Sequence, residues 1–519
     1  MITHSKSQEP TELLADVLAS MRCKGVRLWT DKGQLRFKAP QGALTQRELE
    51  RLRACRTEIF DLLENEGRVG NGMTSLGPLT SAPLTFSQMA HWRLYDLRER
   101  PAIRQIASAT RLCGQLNTDA LKRSLDEMVR RHEALRTRIV IRDGIPVQQI
   151  STAGYCQLTL QDLTALPEGI RESEVYQLIE QFILEPIDLA VAPLFGACLL
   201  KVRDDEQVLI IAMEHIISDM FSMRVLLRDL YATYTQQVTG HVVALPAISV
   251  QPAEFAVRQR VAQEAWLEKN GAYWRKLTSS RRLRFPMDDV SSPSMRLGWD
   301  VKYLKIGSEL KAELCGWSRQ KRTTIVMSCF TAYVGLLLRW CNSLDAVVLF
   351  QTDGRVSADI ENTIGYFASP LCLRIVVGKD DGFMALSNQV IEKYCEAYER
   401  ADSFYFAAQE SPPEIVRSSC FNWIPPGSGF TISELNGSEY ALTCRPVQFK
   451  HPLAKHLQID GDPSILLFED DDEISGEVWF PLSRFSPTTM DQFGRNFLVC
   501  IRALLRQPEE PLSKLRLHG

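Results

Sequence analysis

One short segment of the 519-residue chain brings an imidazole and two carboxylates together: Glu214-His215-Ile216-Ile217-Ser218-Asp219. The His215 imidazole titrates near neutral pH, so it can take a proton from an attacking amine or hydroxyl and give it back. Asp219 follows four residues later and can fix the loop that carries the histidine. Taken alone, His-x-x-x-Asp is weakly specific and fits a hydrogen-bonded structural histidine better than a catalytic one. Other chemistries lack their motifs. The chain has no P-loop, no G-x-G-x-x-G after a strand, no G-x-S-x-G elbow and no H-E-x-x-H, and His451 and His456 are spaced wrongly for one helical face. Nucleotide hydrolysis, hydride transfer, serine hydrolysis and zinc proteolysis are therefore disfavoured.

The segment's surroundings indicate what must position it. Val208–Met213 is an unbroken apolar run and reads as a buried strand. From Phe221 the pattern turns helical, with Leu226, Leu230 and Tyr234 on one stripe. Polar groups between a buried strand and a helix lie where the core opens. Similar apolar segments recur at 120–131, 207–213, 222–236, 323–340 and 345–351, which predicts a mixed α/β architecture over 84–519. The uncharged stretch Thr323–Leu338 is too short for a membrane span and predicts a buried helix. The polar region around 260–295, with Arg281–Arg284 and Pro286, divides this part into 84–265 and 266–519.

Residues 1–65 read as a separate helix–hairpin–helix unit. Leu14, Val17, Leu18 and Met21 predict a helix over 11–22. Val26–Thr30 and Gln34–Lys38 alternate apolar and polar residues around Asp31-Lys32-Gly33, which predicts a β-hairpin. Thr45 and Glu48 form a capping box for a helix running to about Asn65. Residues 66–83, rich in Gly, Ser, Thr and Pro, read as a linker.

The net charge of −3 argues against a generally basic nucleic-acid binder, and no apolar segment predicts a membrane partner. Thirteen scattered cysteines without a C-x-x-C pair argue against a disulfide framework or zinc site and favour a cytoplasmic location. The charge is unevenly distributed. Arg22, Lys24, Arg27, Lys32, Arg36 and Lys38 face only Asp31 over residues 22–38, a net of +5 on the hairpin. Such residues keep an exposed strand edge soluble, or they dock an acidic peptide by strand addition and charge steering.

Several segments in order carry a family resemblance. Glu214–Met220 resembles the HHxxxDG motif of nonribosomal peptide synthetase condensation domains, which are related to chloramphenicol acetyltransferase. Leu84–Gln88 with His91–Leu94 resembles the opening LSxAQxRLW, and Arg131–Thr137 resembles RHExLRTxF. Tyr273-Trp274 resembles the YW pair opening the second half, Ile364–Arg374 resembles IGxFVNTLPLR, and Phe421-Asn422 a short late motif. Residues 1–65 separately resemble the N-terminal β-hairpin docking domains of such synthetases.

The resemblance implies two acetyltransferase-like lobes in a V, preceded by the small docking domain. It implies no bound cofactor. The donor is an acyl or peptidyl chain held as a thioester on a carrier protein's 4'-phosphopantetheine, and the acceptor is a small amine or alcohol. His215 matches the catalytic second histidine and would deprotonate the acceptor. Asp219 matches a structural aspartate that pairs with an arginine, for which Arg281, Arg282 and Arg284 are candidates near the expected position at Asp289-Val290. Arg131–Arg138 would make buried structural bonds. Glu214 replaces the first histidine, Met220 replaces glycine, and Ser369 stands where asparagine is usual, as structural support of the site. With no adenylation or carrier segment after the condensation region, the arrangement is similar to the chain-releasing enzymes of enacyloxin-type synthases, with an upstream carrier subunit whose acidic C-terminal tail meets the hairpin.

Other functions remain. The departures at Glu214 and Met220 fit a catalytically inactive scaffold that recruits a carrier or tailoring enzyme, although His215 and Asp219 are retained. A coenzyme A-dependent acyltransferase is disfavoured by the docking unit. Heterocyclisation is disfavoured by the motif, and epimerisation fits the docking arrangement poorly.

Overall fold

The computed structural model describes residues 26–31, 34–38, 44, 46–54, 56, 59, 78–95, 106–278, 280, 282–288, 298–355, 357–401, 404, 417–425, 442–447, 449 and 461–517. Near the N-terminus, the expected alternation gives β1 (Arg27–Asp31) and β2 (Gln34–Lys38), antiparallel, with Arg27 opposite Lys38 and Asp31 opposite Gln34. Helix α1 (Gln46–Ala54) follows. The expected helix over 11–22, the Lys32-Gly33 turn and the Thr45 cap lie outside the described residues.

The expected linker ends earlier than residue 83. Ser81–Pro83 forms β3, antiparallel to β6 (Ile145–Ile150), which also pairs with β5 (Thr137–Arg142). Ala82 is buried there, so the segment gains by joining the sheet. Helix α2 (Phe86–Tyr95) comes next.

The first lobe is built on five strands. These are β4 (Ile106–Gly114), β7 (Leu158–Asp162), β8 (Phe195–Arg203), β9 (Glu206–Met213) and β14 (Leu442–Pro446), in the order β14-β4-β9-β8-β7. Helices α3 (Thr118–Arg131), α4 (Glu168–Leu184) and α5 (Met220–Thr239) cover them. The apolar run expected as a buried strand is β9, at the centre of the sheet. Because strand side chains alternate, Leu209, Ile211 and Met213 join the core that holds Leu226, Leu230 and Tyr234 of α5. Val208, Ile210 and Ala212 join the core that holds Val175, Ile179 and Ile183 of α4. Burial on both faces explains why β9 is apolar throughout.

The second lobe has six strands: β10 (Trp299–Ile306), β11 (Asp345–Thr352), β12 (Ser369–Val376), β13 (Cys420–Ile424), β15 (Ser464–Glu469) and β16 (Ile474–Pro481). Their order is β10-β16-β15-β13-β11-β12. The uncharged stretch becomes α8 (Ile325–Trp340), which packs in the lobe's core, with Thr324 capping the Met327 N–H at 3.2 Å. Helices α7 (Ser308–Gln320), α9 (Phe383–Tyr398) and α10 (Pro487–Arg506) complete the lobe. Among the described residues no single helix is long and apolar enough to cross a membrane.

The contiguous division at 265/266 does not match the structure. Helix α6 (Pro252–Thr278) runs unbroken through that border. Strand β14, from the second half of the chain, pairs with β4 in the first lobe's sheet, and Leu442 and Cys444 join its core. The polar region around 260–295 begins within this helix, so its composition marks no break between the lobes. Among the described residues ten cysteines are free thiols, Cys395 is disulfide-bonded, and no group of three His, Cys, Asp or Glu is placed to hold a metal.

Candidate active site

The site lies where β9 ends. A single 3-10 turn, His215–Ile217, joins β9 to α5, and its backbone polar groups are supplied with partners by neighbouring side chains. Glu214 is fully buried and accepts from the Ile216 N–H through Oε2. Its own N–H donates to the Leu194 carbonyl at 2.9 Å, and the Ser218 hydroxyl donates to the Glu214 carbonyl at 2.8 Å. From α2, Gln88 Nε2 donates to the Ile216 carbonyl at 2.9 Å. Gln88 also exchanges hydrogen bonds with Thr85 at 2.8 and 3.1 Å, so the opening motif fixes this turn.

The His215 ring is half-buried at this turn, and its Nδ1 is buried without a hydrogen-bond partner. Tyr366 packs edge-on with its ring centroid 4.5 Å away, and His91 of α2 lies 5.2 Å away. Burial, and then the nearby His91, push the imidazole down to about 4. His215 is therefore neutral near pH 7, with a ring nitrogen free to accept a proton.

Asp219 closes the turn as the N-cap of α5. Its Oδ1 accepts from the Ser222 N–H and hydroxyl, both at 2.7 Å. The carboxylate also takes a fork from Arg355 Nη1 and Nη2 at 2.8 and 3.1 Å. The Phe367 and Ala368 N–H groups donate to Oδ2 at 3.1 and 3.2 Å. Burial alone would raise this carboxyl, but the Arg355 charge and these donors outweigh it and hold it low. Asp219 thus ties the first lobe's motif to the loop between β11 and β12 of the second.

Among the described residues, Arg355 is the arginine partner of Asp219. Arg282 instead pairs with Asp462 at 2.7 Å, Arg284 is exposed, and Arg281 and Asp289-Val290 lie outside the described residues. The Arg355 guanidinium sits between the Phe221 and Phe367 rings, 4.3 and 4.8 Å from their centroids. Gly354 permits this approach. Its φ is +63°, and a Cβ there would meet the Phe367 carbonyl oxygen at 1.7 Å. The sequence signal that points to Arg355 is Asp353-Gly354-Arg355 directly after an apolar strand.

Met220, the first residue of α5, is 39% exposed, so its thioether stands at the opening rather than in the core. Ser369 is buried at the start of β12, and its hydroxyl has no hydrogen-bond partner. Arg131–Arg138 forms the expected structural network. Asp229 accepts from Arg131 Nε at 2.9 Å and lies 3.1 Å from His132 Nε2, while Arg136 faces Glu133. On the hairpin, Arg36 is exposed, and Arg27 and Lys38 form the last backbone pair of the ladder. Arg22, Lys24 and Lys32 lie outside the described residues.

Comparison with known proteins bears on the family and the fold. The family described as Condensation domain matches residues 79–519, and the TubC N-terminal docking domain matches residues 14–65. A linear gramicidin synthase chain of Brevibacillus parabrevis is 35% identical over 324 residues, 62% of this chain and 6% of that one. The chain thus spans a small part of such a relative. The X-domain bound to OxyB from teicoplanin biosynthesis superposes with a TM-score of 0.72 at 21% identity, covering 86% of this chain and 98% of that one. SgcC5 from Streptomyces globisporus, in complex with a naphthyl ethanediol, gives 0.67 at 25% identity over 83% of this chain and all of that one. With the motif turn, its aspartate–arginine tie and the two lobes in place, the chain belongs to the condensation domain family of nonribosomal peptide synthesis, preceded by a TubC-type docking domain.

Proposed function

We propose that this protein transfers an acyl chain from a carrier protein's phosphopantetheine thioester to an amine or hydroxyl acceptor, with His215 as general base. The observation that carries this reading is the neutral, half-open imidazole at a turn fixed from both lobes. The acceptor's lone pair attacks the thioester carbonyl as its proton passes to His215. The tetrahedral intermediate then collapses, the C–S bond breaks, and the imidazolium returns the proton to the departing thiolate. The product is an ester or amide, and no acyl-enzyme forms. Holding donor and acceptor together supplies much of the acceleration. The naphthyl ethanediol in SgcC5 supports an alcohol acceptor and hence release of the chain as an ester. Met220 and Ser369 shape the acceptor side.

The basic hairpin captures an acidic C-terminal tail on an upstream carrier subunit. It raises the carrier's effective concentration without altering the catalytic contact. A second reading, an inactive scaffold that recruits a tailoring enzyme, draws on the Glu214 and Met220 departures and on the likeness to an X-domain seen with OxyB. Intact-protein mass spectrometry of an acyl-loaded carrier decides between them. Incubated with candidate amines and alcohols, the carrier loses its acyl mass and product appears if transfer occurs. A carrier that binds but keeps its acyl group with every acceptor supports the scaffold.

A further inference from the structure

We propose that His91, carried by α2 and held beside the Glu214 carboxylate, is a second imidazole of the site: a positioning residue that, set against Glu214, tunes the proton affinity of His215. This rests on the reading of His215 as the base.

The geometry places all three groups together. His91 Nε2 lies 3.9 Å from Glu214 Oε1, with the two residues 6% and 0% exposed. The His91 ring is 5.2 Å from the His215 ring, and Tyr366 touches both, at 5.5 and 4.5 Å between centroids. Gln88, three residues before His91 on the same helix, bonds the Ile216 carbonyl at 2.9 Å and so ties that helix to the turn. Sequence points the same way. In the register Leu84–Trp92, His91 takes the leucine of LSxAQxRLW, and Glu214 takes the first histidine of HHxxxDG. In this sequence an imidazole stands on the facing helix and a carboxylate stands at the first position of the motif.

The charges around His215 come from each element packed on it. His91 faces it from α2 and, when protonated, opposes a proton on His215. Glu214, on the turn, favours that proton, as does Asp219 at the start of α5, whose charge Arg355 offsets. Tyr366 contributes an uncharged ring from the loop before β12. His91 and Glu214 thus act on His215 in opposite senses, on top of the effect of burial. Removing either partner unbalances the pair, and in opposite directions.

The test follows the His215 ring by NMR in full-length protein labelled at its 8 histidines, with the resonance assigned against His215→Asn. His91→Asn should raise the His215 midpoint, and Glu214→Gln, which keeps an acceptor for the Ile216 N–H, should lower it. Each shift should be roughly one pH unit for charges at this separation in a partly screened site. The acid limb of the pH–rate profile should move with the midpoint in each variant. Midpoints that stay put, or that move in the same direction, overturn the proposal. Should His91→Asn fail to fold, His91→Gln and the Glu214→Gln arm carry the same decision. Transfer that survives His215→Asn would instead sink the general-base reading, and the midpoint shifts would still test the charge pair on its own.

Discussion

Replacing Arg355 with alanine probes the tie between the lobes. Arg355 and Asp219 are 3% and 2% exposed, and the guanidinium meets the carboxylate at 2.8 and 3.1 Å. Removing one partner of a buried pair leaves an uncompensated charge and costs about 3–5 kcal/mol. Here Asp219 keeps its donors from Ser222, Phe367 and Ala368, which places the expected loss near the lower end, about 3 kcal/mol. The denaturant midpoint should fall accordingly, and Arg355→Lys should lie between, because it keeps the charge but loses the fork and the seat between Phe221 and Phe367. The sign with pH follows from the depressed Asp219 carboxyl. Its contribution is present above the unfolded value of about 3.9 and is lost as pH falls through the folded value. The gap between wild type and Arg355→Ala should therefore narrow below about pH 4. Urea titrations at neutral and acid pH measure both effects. A variant within about 0.5 kcal/mol of wild type at pH 7 would refute the reasoning, since that is the scale of an ordinary surface change.

Other outcomes follow from the same geometry. Transfer should be independent of His215 protonation from about pH 5 upward, with an acid limb near 4; a limb near the ordinary histidine value of about 6.5 would contradict the buried environment. The same depression means that folding loses stability as pH falls from about 6.5 towards 4, where the unfolded chain takes up the proton first. Gly354→Ala combines a positive φ with a backbone clash at 1.7 Å, so thermal unfolding should register a loss of at least about 2 kcal/mol, and an unchanged midpoint would show that the loop can relax. Deleting residues 1–66 should slow transfer from a complete carrier subunit while leaving a small free thioester unaffected, and equal slowing of both would remove the docking role.

Local features were the most legible in the sequence. The strand and helix on either side of the motif follow from an apolar run and a helical stripe, all within one stretch of chain. The hairpin and α8 were legible for the same reason. What escaped was non-local. Arg355 is 136 positions from Asp219, and the basic cluster at 281–284 drew attention by composition while Arg282 was committed to Asp462. Strand β14 crosses to the first lobe because its apolar face completes that core, and five residues carry no mark of which sheet they will join. His91 was visible only as part of the opening motif. Its meaning depends on α2 packing against the turn, which Gln88 secures.

Single-turnover transfer from a loaded carrier, comparing His215→Asn with wild type, tests the central claim most directly. A positioned general base contributes roughly 10²–10⁴-fold, so the variant should react slower by that factor while its fold and carrier binding are retained. A variant that transfers the chain at the wild-type rate would mean that the imidazole at the end of β9 does not carry the proton.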